Sequence, residues 1–383
     1  MIALRTLAFL VSGLILTLAA GASSAADAIT VIAAFNLSGP QAVLDLPSFQ
    51  GAQLAVEQRN AAGGVLGRPL QLVPVDTQSR SETAADAVAA QLKAQPSAVA
   101  GIGYSDSTFA LDVGRVFQAA GRPFVTSGAT APDLPEQVGD QLFLAAYGDD
   151  AQAQVMAAYA HDTLKAATLA LWIDEGFIYT RTVGHFFDSA FRTLGGSVDR
   201  KTYAADLRDF SALIAEFKAA DPQPQAIYAA SMPRTAVTLI EQVRGAGIDV
   251  PLLSGDGWDD ADIVDVSKRK AIAGIFFTTH RFLGVDTPEM KAFVAAYTAK
   301  FGAPPPNAFA PLGFDTVNLL ADAIGRAGSA DPDAVRTALA ATSAFPGVVG
   351  MITYTAVTGR SGPTRLRCQP RAFMFGVFPV DLQ

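Results

Sequence analysis

The chain alternates apolar β-type runs with amphipathic helical stretches at short spacing, twice over, and few architectures accommodate that rhythm. Residues 29–35 form a continuous β-branched and apolar run ended by Gly39-Pro40, the pattern of a strand covered on both faces. A helical stretch over 48–62 stops at Gly63-Gly64, and 70–75 is the next strand. Ser79 and Glu82 read as a capping box that opens a helix reaching about residue 94. Strand, helix and strand follow at 98–102, 109–120 and 123–126. The rhythm restarts after Asp149-Asp150 with a helix to residue 164 and a strand at 167–173. Val183, Phe186, Phe187, Ala190, Phe191 and Leu194 then make an apolar stripe at helical period, terminated by Gly195-Gly196. Strands at 197–203, 226–230 and 251–254 alternate with helices at 210–220 and 235–246, and a further apolar strand spans 272–279.

Two α/β lobes are therefore expected, each a doubly wound parallel sheet, joined by a hinge that the chain crosses several times. Helices at 288–301, 314–327 and 331–342 carry little β signal between them and are expected to return to the first lobe, whereas strands at 349–355 and 371–380 are expected to finish the second. On this reading the first lobe comprises 27–146 with 282–348, and the second 147–281 with 349–383. A cleft between two such lobes is where small molecules bind.

Arg5 precedes an apolar run over 7–20 and a small-residue stretch over 21–26, which reads as a secretory signal peptide cleaved near residue 26. No cysteine lies near that point, so the expectation is a soluble, periplasmic, monomeric product without a lipid anchor. Removing residues 1–26 takes away one basic residue and no acid, moving the formal charge from −8 to −9, which disfavours nucleic acid as a partner. The single cysteine, Cys368, permits no internal disulfide and is assigned no function.

Several ordered stretches carry a family pattern: Leu37-Ser38-Gly39-Pro40, then Gly51-Ala52-Gln53-Leu54-Ala55-Val56-Glu57, then Asn60-Ala61-Ala62-Gly63-Gly64. Further pieces are Ser127-Gly128-Ala129-Thr130, Asp209-Phe210-Ser211-Ala212-Leu213-Ile214 and Gly255-Asp256-Gly257. With these the chain resembles, over nearly all of residues 27–383, the periplasmic Leu/Ile/Val-binding type of solute receptor that serves ABC transporters. The resemblance implies a type I periplasmic-binding fold that closes on its ligand and is then captured by a membrane permease. It implies no cofactor and no turnover. It also implies that Ser105, Gly128 and Thr130 hold a ligand carboxylate, that Asp256 meets an ammonium group, and that Tyr179 covers the closed cleft. Backbone N–H groups and hydroxyls suit an anion without a cationic side chain. Met232, Trp258, Leu44 and Phe309 are candidates for an apolar wall.

The departures are informative. Leu44 stands where some amino-acid receptors of the family have tyrosine, and Thr77 and Tyr104 stand near a family disulfide pair. The ligand stays open between a hydrophobic amino acid, an aromatic carboxylate and another small acid. A periplasmic sensor subunit that docks on a signalling receptor is the alternative within the same fold. A serine hydrolase is the enzymatic alternative, but Gly103-Tyr104-Ser105-Asp106-Ser107 breaks the G-x-S-x-G pattern at its last position. His161, His185 and His280 read as surface or structural residues, too scattered for a metal signature, and Gly101-Ile102-Gly103 lacks the third glycine of a dinucleotide loop.

Overall fold

In a computed structural model, residues 27–205, 207–269, 274–357, 365–368 and 377–379 are described; the leader expected at 1–26 lies outside them. The first sheet uses β1 (Ile29–Phe35), β2 (Leu70–Asp76), β3 (Ala100–Gly103), β4 (Phe124–Thr126) and β5 (Leu142–Leu144), all parallel in the order β2-β1-β3-β4-β5. Every residue of β1 is buried, as its unbroken apolar run requires. Helices α1 (Ala42–Ala61), α2 (Ser81–Ala94), α3 (Ser107–Ala119) and α4 (Leu134–Val138) connect these strands.

The second sheet follows α5 (Asp149–Ala158), a helix that runs into a π-helical turn at Tyr159–Thr163. Its strands are β6 (Thr168–Asp174), β7 (Ser197–Tyr203), β8 (Ala226–Ala230), β9 (Leu252–Ser254) and β10 (Ile275–Thr278), again mutually parallel. They alternate with α6 (Ile178–Thr193), α7 (Ser211–Ala219), α8 (Pro233–Gly245) and α9 (Ala261–Arg269). The later helices, α10 (Pro288–Phe301), α11 (Phe309–Ala327) and α12 (Pro332–Ala340), return to the first lobe, where Leu320, Ile324 and Leu339 join the core of β1 and α1.

Three details depart from the sequence reading, each for a tertiary reason. Helix α1 begins at Ala42, not near residue 48, although Pro47 lies inside it. A proline withholds the N–H that the carbonyl four residues earlier needs, and Asn307 Nδ2 donates to that carbonyl, Val43 O, at 3.1 Å. Ser79 does not cap α2; it sits at φ +59° and its hydroxyl donates to Ser38 O at 2.9 Å while accepting from Gln41 N at 3.0 Å. The C-terminal strands are divided between the lobes. Ile352 and Tyr354 pack in the first-lobe core, with Tyr354 Oη donating to Leu144 O at 3.1 Å, whereas Val377–Pro379 runs antiparallel to β10 in the second sheet. Cys368 ends the strand Arg365–Cys368, opposite Tyr354.

In both lobes the connections that leave the C-terminal ends of the strands carry the candidate residues. The lobes are closed on each other: Leu44, Phe309 and Leu312 from the first share one apolar cluster with Tyr179, Val183 and Met232 from the second. Among the described residues no helix is long and apolar enough to cross a membrane.

Candidate functional site

The first wall of the cleft is set by a close approach of backbones after β3. Gly103 has φ +154°, and a Cβ there would lie 1.7 Å from Ala34 O, so only glycine fits. The chain then turns through Tyr104, also at positive φ, and buries its ring. Its hydroxyl donates to Thr77 Oγ1 at 3.2 Å, so a hydrogen bond joins the two positions where the family resemblance places a disulfide. Ser105 follows. Its N–H donates to Asp45 Oδ1 at 2.7 Å, and Asn36 N–H donates to the other oxygen of the same carboxylate at 2.8 Å. Burial nevertheless pushes the Asp45 carboxyl up to about 7, against the pull of those N–H groups and of the Ser105 hydroxyl nearby.

The backbone donors expected to meet an anion are engaged inside the protein: Gly128 N–H donates to Tyr104 O at 3.1 Å, and Thr130 N–H to Ser107 Oγ at 3.3 Å. The Ser105 hydroxyl is different, being buried without a hydrogen-bond partner. It borders Gly128 and Phe309: a Cβ on Gly128 would lie 2.7 Å from the Phe309 ring and 3.1 Å from Ser105 Oγ. The sequence therefore brings Ser105, Gly128 and Phe309 to one place from three separate elements.

The opposite wall is acidic. Gln152, one helical turn after Asp149 on α5, directs Nε2 to Asp149 Oδ1 at 2.9 Å and to Asp256 Oδ1 at 2.7 Å. Its Oε1 accepts from Asp256 N at 2.9 Å and from Thr278 Oγ1 at 2.6 Å. The remaining oxygen of Asp256 lies 2.9 Å from His280 Nε2, with both side chains buried. A carboxylate only accepts, so that nitrogen carries the proton. The His280 ring stands between Tyr147 and Phe309, with centroids 4.4 and 5.6 Å away. Asp149 is fully buried; desolvation and the neighbouring Asp256 hold its carboxyl well above the usual range, while the nearby Thr130 side chain and Gln152 work in the other direction. Tyr179 Oη accepts from Gly257 N at 2.9 Å, tying the tyrosine to the Asp256 turn.

Direct hydrogen bonds close the seam. Ile178 N–H donates across the lobes to Thr108 Oγ1 at 3.0 Å, and Asp259 Oδ2 accepts from Ala308 N at 3.0 Å as well as from Thr279 Oγ1. Burial raises the Asp259 carboxyl to about 6. At the outer rim a recess of 440 Å³ separates Gly39, Pro40 and Val43 from Pro233, Arg234 and Asp262.

Leu44, Tyr179, Met232 and Phe309 meet in one apolar cluster. Trp258 does not join them. It packs on the other face of the second sheet with Phe210 and Leu239, and its Nε1 donates to Ser231 Oγ at 2.9 Å. The sequence reading gave Asp149 and Gln152 no place in the site and took His280 as a surface or structural residue. The i, i+3 placement of Asp149 and Gln152 at a helix start was a usable signal, as was the position of His280 just beyond the C-terminal end of a buried strand. Ser105 Oγ bonds no histidine, so the nucleophile–base contact of a serine hydrolase is not formed. Among the described residues no group of three or more His, Cys, Asp or Glu is placed to hold a metal ion.

Comparison with known proteins agrees with this architecture. A Leu/Ile/Val-binding protein of Rhizobium johnstonii is 28% identical over 352 residues, covering 91% of this chain and 93% of that protein. The crystal structure of a leucine-binding protein, LivK, from Thermotoga maritima superposes with a TM-score of 0.77 at 29% identity, over 85% of this chain and 90% of that one. The branched-chain amino acid substrate-binding protein LivJ from Streptococcus pneumoniae, solved with isoleucine, gives 0.78 at 26% identity, over 90% and 100%. A model of the periplasmic binding protein family matches residues 28–365, nearly all of the chain beyond the expected leader, and this chain belongs to that family.

Proposed function

We propose that the protein captures a small carboxylate-bearing ligand, a hydrophobic amino acid or a related acid, between its lobes and in the closed form delivers it to an ABC permease. The observation that carries this reading is the Ser105 hydroxyl, buried without a partner beside Gly128 and Phe309, facing a seam whose apolar lining comes from both lobes. A buried hydroxyl lacking a partner is costly, and a ligand carboxylate would satisfy it. The names of the relatives support an amino acid, and the Leu44, Met232 and Phe309 side chains suit an apolar one. Tyr179 and the Asp256 turn act as the second-lobe cover, and closure is favoured only by contacts made when both lobes touch the ligand.

The lobes swing about the segments near 145–148 and 279–287, where the chain passes between the sheets. Export precedes this role, with residues 1–26 removed. The test is a thermal-shift and calorimetric screen of the protein against aliphatic and aromatic amino acids and small carboxylic acids. A ligand at a hundred times its Kd adds about 2.7 kcal/mol of apparent stability. Saturable binding of at least one such compound is expected; no binding across the whole panel would remove the proposal. Loss of uptake of that compound on deleting the gene, with chemotaxis intact, would assign the permease as partner.

A further inference from the structure

We infer that Asp149, and not Asp256, receives the cationic amine of the ligand, so that the site selects α-amino acids over their deaminated counterparts. This rests on the carboxylate-binding reading above and narrows its ligand class.

Both oxygens of Asp256 already have partners. Gln152 Nε2 donates to Oδ1 and His280 Nε2 to Oδ2, which gives this carboxyl an N–H partner on each side. Asp149 is the contrasting case. Its Oδ1 accepts from Gln152, but Oδ2 is buried with no hydrogen-bond partner, and the charged groups acting on it are the carboxylates Asp256 and Asp150. A buried carboxylate oxygen without a donor is costly in a closed protein and is satisfied by an arriving N–H⁺ group. The Tyr228 hydroxyl, also buried without a partner, interacts electrostatically with both Asp149 and Asp256 and supplies a second acceptor.

Position supports the same assignment. Asp149 N–H donates to Thr130 O at 2.9 Å, and the Asp149 carboxyl lies against the Thr130 side chain. It is therefore next to the residues proposed to take the ligand carboxylate. In an α-amino acid the amine and the carboxylate hang from one carbon, so their receptors must be neighbours. Asp149 and Thr130 satisfy that requirement. The His280 imidazole is engaged with Asp256, which leaves the buried Oδ2 of Asp149 for the ligand amine to meet.

The experiment is isothermal calorimetry with L-leucine, L-valine and L-phenylalanine, each beside its deaminated acid, on the wild-type chain and on Asp149→Asn and Asp256→Asn. Asp149→Asn keeps the shape and an acceptor for Gln152 while removing the charge. It is expected to weaken the bound amino acid about 10- to 100-fold, the range for a hydrogen bond to a charged group, and to leave the deaminated acid within about threefold. A melting temperature and near-ultraviolet circular dichroism matching wild type show that the fold is kept. Equal wild-type affinity for an amino acid and its deaminated acid would overturn the inference while leaving the proposed function standing. So would a loss confined to Asp256→Asn, or an equal loss of both ligand types in Asp149→Asn. Binding of neither class by the wild-type chain would overturn the proposed function and this inference with it.

Discussion

On the first-lobe wall the backbone donors around Ser105 are tied to neighbours, and the buried carboxylate beneath it, Asp45, is met by two N–H groups. On the second-lobe wall three acids are buried: Asp149 and Asp256 share Gln152, Asp256 meets the His280 imidazole, and Asp259 lies within reach of both Asp256 and His280. The first wall is finished within its own loops and offers neutral hydroxyls. The second is left with a buried acid oxygen, Asp149 Oδ2, that no donor meets. A ligand with an anionic and a cationic end matches that polarity, and an apolar side chain matches the Leu44, Met232 and Phe309 cluster between the walls.

The largest way to break this comparison is His280→Ala, which strands the Asp256 carboxylate. Removing one member of a buried ion pair costs about 3–5 kcal/mol, read by chemical denaturation. A loss under about 1 kcal/mol would mean that the pair carries no charge, and the acid-rich description would fail. Adding Asp256→Asn to His280→Ala is expected to recover part of the loss, since no buried anion then remains.

Next in size is the pH dependence of the first wall. The Asp45 carboxyl is raised from 3.8 to about 7 in the folded chain by burial. Because the folded state binds this proton more tightly, the stability it contributes is complete below about pH 4 and is lost as pH climbs to about 7. One pKa unit is about 1.4 kcal/mol, which makes this loss about 4 kcal/mol. Asp315, raised to about 7 by burial, acts in the same direction. Asp45→Asn should flatten the slope of melting temperature against pH between 4 and 7. An unchanged slope would show that Asp45 does not carry it.

Gly128→Ala tests the meeting of the walls at Phe309. The added methyl would press on the Phe309 ring, an overpacking cost of about 1–3 kcal/mol in stability, visible as a lower melting temperature, together with weaker ligand binding. Ser105→Ala is the smallest and most selective change. Its hydroxyl has no partner in the closed chain, so the ligand-free protein should gain about 1 kcal/mol of stability or hold its value while affinity falls about tenfold. A stability loss larger than the affinity loss would assign Ser105 to the scaffold.

How far the fold was legible follows from the range of the forces involved. The runs at 29–35 and 167–173 and the glycine pairs at 63–64 and 195–196 act locally, so strand, helix and stop could be read directly. The start of α1 could not, because the carbonyl that Pro47 leaves free is satisfied by Asn307, far along the chain. Ser79 matched a capping pattern but was drawn off by the Ser38 loop. Tyr354 was assigned to the wrong lobe because an apolar β run does not state which core it joins. The site divides in the same way. Ser105, Gly128 and Thr130 sit on loops with a recognisable pattern, whereas Gln152 acquires its role only through Asp256 and Thr278, residues brought to it from 104 and 126 positions away.

The hydrogen bond from Ile178 N–H to Thr108 Oγ1 crosses directly from one lobe to the other at the start of α6. When the lobes part, that amide proton faces water; when they meet, it is sheltered. Its exchange with deuterium therefore works as a clock for the hinge, counting the time the molecule spends open, and a bound ligand should slow it without touching it.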